Sequence, residues 1–160
     1  MSKQTGAVFA LVAGLSLVLM GSAAAQAADN WVGTWKLNLA KSKYSPGPAP
    51  KSNVGKLEAS DGGIKAISDG VGADDKPTHT EFAAKFDGKD YPYKGSAAYD
   101  TIVVKRIDDH AYEGILKGKG KARMTSRNVI SKDGKTRTQT QTGTDAQGKA
   151  INNTVVYDRQ

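Results

Sequence analysis

The feature that most constrains this chain is its rhythm of turns. Asp61-Gly62-Gly63, Asp69-Gly70, Asp74-Asp75-Lys76-Pro77, Asp87-Gly88, Asp108-Asp109, Gly118-Lys119-Gly120, Asp133-Gly134 and the segment Asp145 to Gly148 punctuate the sequence. Asp-Gly pairs suit two-residue hairpins, because both central residues must tolerate positive φ. After Ala27 no window of helical length carries apolar residues at helical spacing; short alternating runs recur instead. These runs predict strands at 31–38, 52–60, 63–69, 78–86, 90–94, 99–108, 110–117, 121–131, 135–144 and 149–158. That many antiparallel strands must curl, close or split. The expectation is an all-β domain, an antiparallel up-and-down barrel of about 8–10 strands, since closure removes exposed edges. A two-sheet sandwich is the alternative.

Two strands show their faces. In the run from Thr78 to Phe86, the positions Thr80, Phe82, Ala84 and Phe86 form the inner set, and His79, Glu81 and Lys85 face water. In the run from Lys121 to Ser131, Ala122, Met124, Ser126, Asn128 and Ile130 face inward, and Lys121, Arg123, Thr125 and Arg127 outward. Ser126 and Asn128 would then need partners or water inside. From Ala28 on, only 30 of 133 residues are Ile, Leu, Met, Val, Phe, Trp or Tyr. So thin and polar an interior fits a wet cavity, and equally a barrel filled by small side chains.

The segment from Leu39 to Lys51 breaks the pattern. Pro46, Pro48 and Pro50 alternate with small residues, which excludes a central strand and favours extended, polyproline-like chain. It reads as a lid across one mouth, as a proline-rich recognition segment, or as a stiff connector between the first two strands.

The N-terminus reads as an export leader. Lys3 precedes an apolar run from Ala7 to Met20, and Ala25-Gln26-Ala27 offers small residues to a signal peptidase. The run is about 14 residues, short of the ~20 that span a bilayer. The expectation is a signal peptide over 1–27, a single barrel domain over 28–160 with no transmembrane segment, and a periplasmic or secreted location. The chain has no cysteine, which excludes thiol redox chemistry, thiolate nucleophiles and cysteine-bound zinc.

The net charge of +7 is concentrated. Between Ile115 and Thr140 lie Lys117, Lys119, Lys121, Arg123, Arg127, Lys132, Lys135 and Arg137, against Asp133 alone. Lys117, Lys119, Lys121, Arg123 and Arg127 share one parity and would line one outer face if the hairpin keeps register. Such a face attracts anionic polymers, or serves as a solvated, aggregation-resistant edge. No aromatic residue interleaves with it, which argues against nucleic-acid stacking. No specific nucleic-acid partner is expected.

Catalytic signals are absent. There is no nucleophile elbow and no phosphate-binding glycine loop. The Asp74-Asp75 and Asp108-Asp109 pairs sit at turns. His79 and Glu81 share a strand face, but a metal needs three or four ligands and His110 has no spacing linked to them. No residue is assigned a catalytic, metal-binding or cofactor-binding role. Thr136, Thr138, Thr140, Thr142 and Thr144 form an every-second-residue ladder that reads as β propensity with cross-strand pairing.

Asn30-Trp31-Val32-Gly33-Thr34-Trp35 resembles the N-x-x-G-x-W signature at the first strand of lipocalins and the wider calycin group, which includes the fatty-acid-binding proteins. The resemblance implies that Gly33 permits a close approach where the strand bends and that Trp35 plugs the closed end of a barrel. Trp31 departs from the smaller residue usual at its place. Most of the remaining chain is similar to small exported bacterial proteins, largely uncharacterised, sometimes described as lipocalin-like. The similarity runs through Gly33 to Asn38, Ala40 to Lys51, Lys76 to Glu81 and Phe86 to Pro92. It implies a compartment and a fold and brings no catalytic residue.

The expected function is a binding module holding a small, partly apolar ligand, with Phe82, Phe86, Met124, Ser126 and Asn128 lining the cavity. The alternative is a cell-envelope protein that binds anionic polymers through its outer basic face. An enzyme acting within the barrel is a third reading, with no motif behind it.

Overall fold

The computed structural model describes residues 29–145 and 147–160; the expected leader lies outside them. Ten antiparallel strands form one closed barrel: β1 Gly33–Leu37, β2 Ser52–Ser60, β3 Gly63–Val71, β4 Pro77–Lys85, β5 Tyr91–Lys94, β6 Thr101–Asp108, β7 Ala111–Gly118, β8 Lys121–Ile130, β9 Thr136–Thr144 and β10 Ala150–Arg159. Each strand pairs with its sequence neighbours, and β1 pairs with β10 to close the ring. The sheet is therefore a barrel and not a sandwich. Each strand lies within two residues of its expected bounds.

Turn chemistry sets the register. Asp61 and Gly62 hold φ 38° and 76°, and Lys119 and Gly120 hold 53° and 73°, the positive pairs of a two-residue hairpin. Asp69-Gly70, expected as a turn, lies inside β3 instead. Its glycine serves a close approach: a β-carbon at Gly70 would overlap the Ser52 carbonyl of β2.

The proline-rich segment has a structural task. β1 is short, so it covers only the 157–159 end of one edge of β10. A single 3₁₀ turn at Leu39–Lys41 follows, and the chain then continues along that edge. Lys43 N–H donates to the Thr154 carbonyl, Thr154 N–H to Lys43, and Asn152 N–H to Ser45, at 2.7–2.9 Å. The segment thus patches the open side of β10 before crossing to β2, and the partly buried Tyr44 packs against the core.

One end of the barrel is shut by aromatic and cationic side chains. Trp31 and Trp35 are fully buried. Phe86 and Tyr112 meet Trp31 edge-on at 5.7 and 6.0 Å, and the Arg106 guanidinium lies 4.7 Å from its ring. Trp35 donates its indole N–H to the Trp31 carbonyl at 2.8 Å. Arg159 lies over Trp35 at 4.3 Å and donates to the carbonyls of Asn30, Val32 and Gly134. A β-carbon at Gly33, where φ is 142°, would overlap the Arg159 guanidinium.

Candidate functional site

Above this plug the barrel encloses a cavity of about 240 Å³. Strand alternation builds it, because every second residue of each strand faces the axis. One wall is apolar and aromatic. Phe82 of β4 stacks on Tyr93 of β5 at 5.9 Å, and Ile102, Val104, Leu116 and Met124 extend the surface. The other wall is polar, and it is made mostly by β8 and β9.

That polar wall is a continuous hydrogen-bond chain. Ser126 and Asn128 are 4 % and 2 % exposed, so their groups must be satisfied internally. Ser126 Oγ accepts from Gln139 Nε2 at 2.8 Å and from Asn128 Nδ2 at 3.2 Å. Gln141 Nε2 donates to Gln139 Oε1 at 3.0 Å, and Asn153 Nδ2 to Gln141 Oε1 at 3.0 Å. Asn153 Oδ1 in turn accepts the Ser45 N–H of the proline-rich segment at 2.8 Å. At the deep end, Arg137 Nη1 donates to Asn128 Oδ1 at 3.4 Å and to the Tyr112 hydroxyl at 3.2 Å. The row therefore runs from the segment at the mouth to a guanidinium just above Trp35.

Arg137 is 6 % exposed and stacks on Tyr157 at 4.1 Å, with Trp35 at 5.8 Å. Burial pushes the Tyr157 phenol above its ordinary pKa, and the Arg137 charge opposes that rise. Burial also raises Tyr93, against a smaller lowering by a hydrogen bond with Thr80. Both phenols are therefore protonated at neutral pH and can donate hydrogen bonds.

Of the five residues expected to line the cavity, Phe82, Met124, Ser126 and Asn128 do so. Phe86 does not. It keeps the parity of Phe82 but lies four residues further along, beyond the end of β4, so it packs against Trp31 in the plug. Gly33 and Trp35 sit at the closed end, as their motif implies. Most of the lining was not among the expected residues, Arg137, Gln139 and Gln141 of β9 included. The threonine ladder held their signal: if Thr136, Thr138 and Thr140 face out, the residues between them face in.

The basic residues do not form one stripe. A bulge in the β7–β8 ladder places Lys121 opposite Gly118 and Ala122 opposite Lys117, yet Met124 opposite Leu116. The extra residue shifts Lys121 out of the alternation that Arg123 and Arg127 follow, and exposed Ala122 out of the inner set. Lys117 pairs with Asp90 at 2.7 Å. Lys119 occupies the hairpin tip, its N–H bound by Asp100 at 2.8 Å. Arg123 shares a shallow depression with Asp100 and Asp145, and Arg127 lies opposite Glu113. Acidic groups therefore interleave with the cations.

His79 and Glu81 are turned to separate partners, Asp69 at 2.7 Å and Lys94 at 2.7 Å. Among the described residues no three His, Asp or Glu side chains converge as metal ligands. None of the described helices is long and apolar enough to cross a membrane. No protein-family model and no curated protein matches this chain.

Proposed function

We propose that this chain is an exported, lipocalin-like binding protein whose barrel holds one small, partly apolar ligand. The observation that carries the reading is the two-sided cavity. An interior meant only for stability would be filled with apolar side chains at close packing. Here about 240 Å³ stays open between an aromatic wall and a row of amides and hydroxyls. Binding sites have this character: mostly apolar surface that supplies affinity, with a few placed polar groups that fix orientation.

Native mass spectrometry of the protein, gently purified from the cells that express it, tests the reading. The expected result is a stoichiometric added mass that leaves on solvent extraction. The opposing result is a bare protein mass, with extracted protein that takes up no small apolar or amphiphilic compound.

A further inference from the structure

The row of amides and hydroxyls has a direction, and its two ends set it. Which end of a side-chain amide donates is decided by partners that can only donate or only accept. At the mouth the Ser45 N–H can only donate, so the Asn153 atom it meets at 2.8 Å is the carbonyl oxygen. The Asn153 amino group must then donate to Gln141 Oε1, Gln141 Nε2 to Gln139 Oε1, and Gln139 Nε2 to Ser126 Oγ, each at 2.8–3.0 Å. At the floor, the Arg137 guanidinium can only donate to Asn128 Oδ1, and the Ser126 backbone carbonyl can only accept from Asn128 Nδ2. The same orientation points Asn128 Nδ2 at Ser126 Oγ, at 3.2 Å.

Two runs of donors therefore converge on one oxygen. Ser126 Oγ accepts twice, which fills both its lone pairs, and its own proton has no acceptor among the described residues. The residue is 4 % exposed, and the open space beside it is the cavity. A buried hydroxyl left unpaired is costly, so this proton calls for a partner there. Gln139 and Gln141, by contrast, each keep a spare N–H and a spare lone pair, and match either kind of group.

We infer that the docked proline-rich segment makes Ser126 a dedicated donor, and that the ligand is a small neutral molecule whose carbonyl oxygen takes that bond. The inference rests on the proposed function, since it names the ligand class of the same cavity. A carbonyl oxygen satisfies Ser126 and brings no proton of its own to place. Asn153 is not among the cavity-lining residues, so it is a positioning residue that carries the direction inward from Ser45. One atom reverses that direction. In Asn153→Asp both side-chain oxygens accept, so the Ser45 N–H keeps its partner while Gln141 must turn to donate. Gln139 then turns in the same sense and presents Oε1 to Ser126, which uses up the hydroxyl proton and frees a lone pair toward the cavity.

Titration of the solvent-extracted protein tests this with indanone, an acceptor without a donor, and indole, a donor without an acceptor. The infrared carbonyl stretch of bound indanone is the second readout. In wild type, indanone is expected to bind about tenfold or more tighter than indole, the effect of one unpaired buried hydroxyl, with its stretch below that in dry alkane. Asn153→Asp should bring the two affinities within about twofold or favour indole, and return the stretch toward the alkane value. Asn152→Asp places the same charge on the adjacent, exposed residue and should leave both readouts as in wild type. The wild-type comparison needs no variant, so the test survives a variant that fails to fold. Equal binding of the two probes in wild type, a preference that persists in Asn153→Asp, or equal effects of the two aspartates overturns the inference and leaves the cavity reading intact. Uptake of neither probe overturns both.

Discussion

Gly33 and Arg159 meet at one point of the barrel wall, where the guanidinium occupies the space a β-carbon on Gly33 would need. At φ 142° a side chain on Gly33 is strained on its own account, and its β-carbon would also displace a guanidinium held by three carbonyls. Gly62, at φ 76° with open space around it, carries only the conformational cost. Gly33→Ala should therefore cost about 2–3 kcal/mol and Gly62→Ala about 1 kcal/mol, read as lowered urea midpoints with unchanged slopes. Equal losses at the two sites would contradict this account of the plug. Arg137 shows where reading single residues from the sequence stops. It sits within a basic run, so it reads as one more surface cation unless the parity of the threonine ladder is weighed above its charge; the register that pairs it with Ile130 and Tyr157 turns it inward. Ser126 and Asn128 were legible because their strand alternates cleanly from Met124 to Ile130, past the bulge. The basic stripe was misread because a one-residue bulge leaves no mark in the alternation of a charged strand.

At the scale of elements, all ten strands were readable from turn residues and period-two runs, since hairpin turns fix where each strand starts and stops. The proline-rich segment was readable only as extended chain. Its pairing with β10 depends on how short β1 is, which no local pattern reports. That pairing, and the link from Ser45 to Asn153, predict a local effect. Asn153→Ala should cost less than about 1 kcal/mol in global stability yet speed tryptic cleavage after Lys41, Lys43 and Lys51, followed by mass spectrometry of the fragments. Unchanged cleavage would show that the backbone bonds alone hold the segment. A second local weakness lies between β4 and β5, which share only two residue pairs. Tyr93 N–H points to Asp100 on the β6 side, so Pro92 and Lys94 turn toward β4, and Pro92 has no N–H to give. Pro92→Val should restore a bond to Ala83 and slow hydrogen exchange along β4 and β5. Exchange as fast as in the wild type would show that the missing donor does not set the weakness.

For the whole molecule, ring closure explains how a chain so poor in large apolar residues can hold its shape, because each described strand has a partner on both sides. Its exposed carboxylates are tuned by hydrogen-bonded lysines and amides: Lys94 holds Glu81 low, Lys85 holds Asp61 low, and Asn38 holds Asp158 low. A carboxyl whose folded pKa lies below its unfolded value adds stability that is present above the unfolded value, and this is lost as pH falls through the folded one. With ordinary values of 4.5 for Glu81 and 3.8 for the aspartates, the thermal midpoint should be flat from about pH 8 to 5 and fall only below about pH 4. Each pair is exposed and weak, so the decline should be gradual. A loss that begins already near pH 6 would contradict it.

On the proposed reading this protein binds in its interior and not on its outer surface. Gly114 faces the cavity with an unstrained backbone, and a β-carbon there comes closest to the flexible end of Ile102, at 3.2 Å, with the Ser126 carbonyl at an ordinary 4.0 Å. Gly114→Leu therefore fills the cavity without touching the outer wall. The most direct measurement is titration with a fluorescent apolar probe of wild type, Gly114→Leu, and the surface double variant Lys121→Glu, Arg127→Glu. The account predicts one site per chain, lost in Gly114→Leu and kept within about twofold in the double variant. Binding that survives in Gly114→Leu and vanishes in the double variant would contradict it.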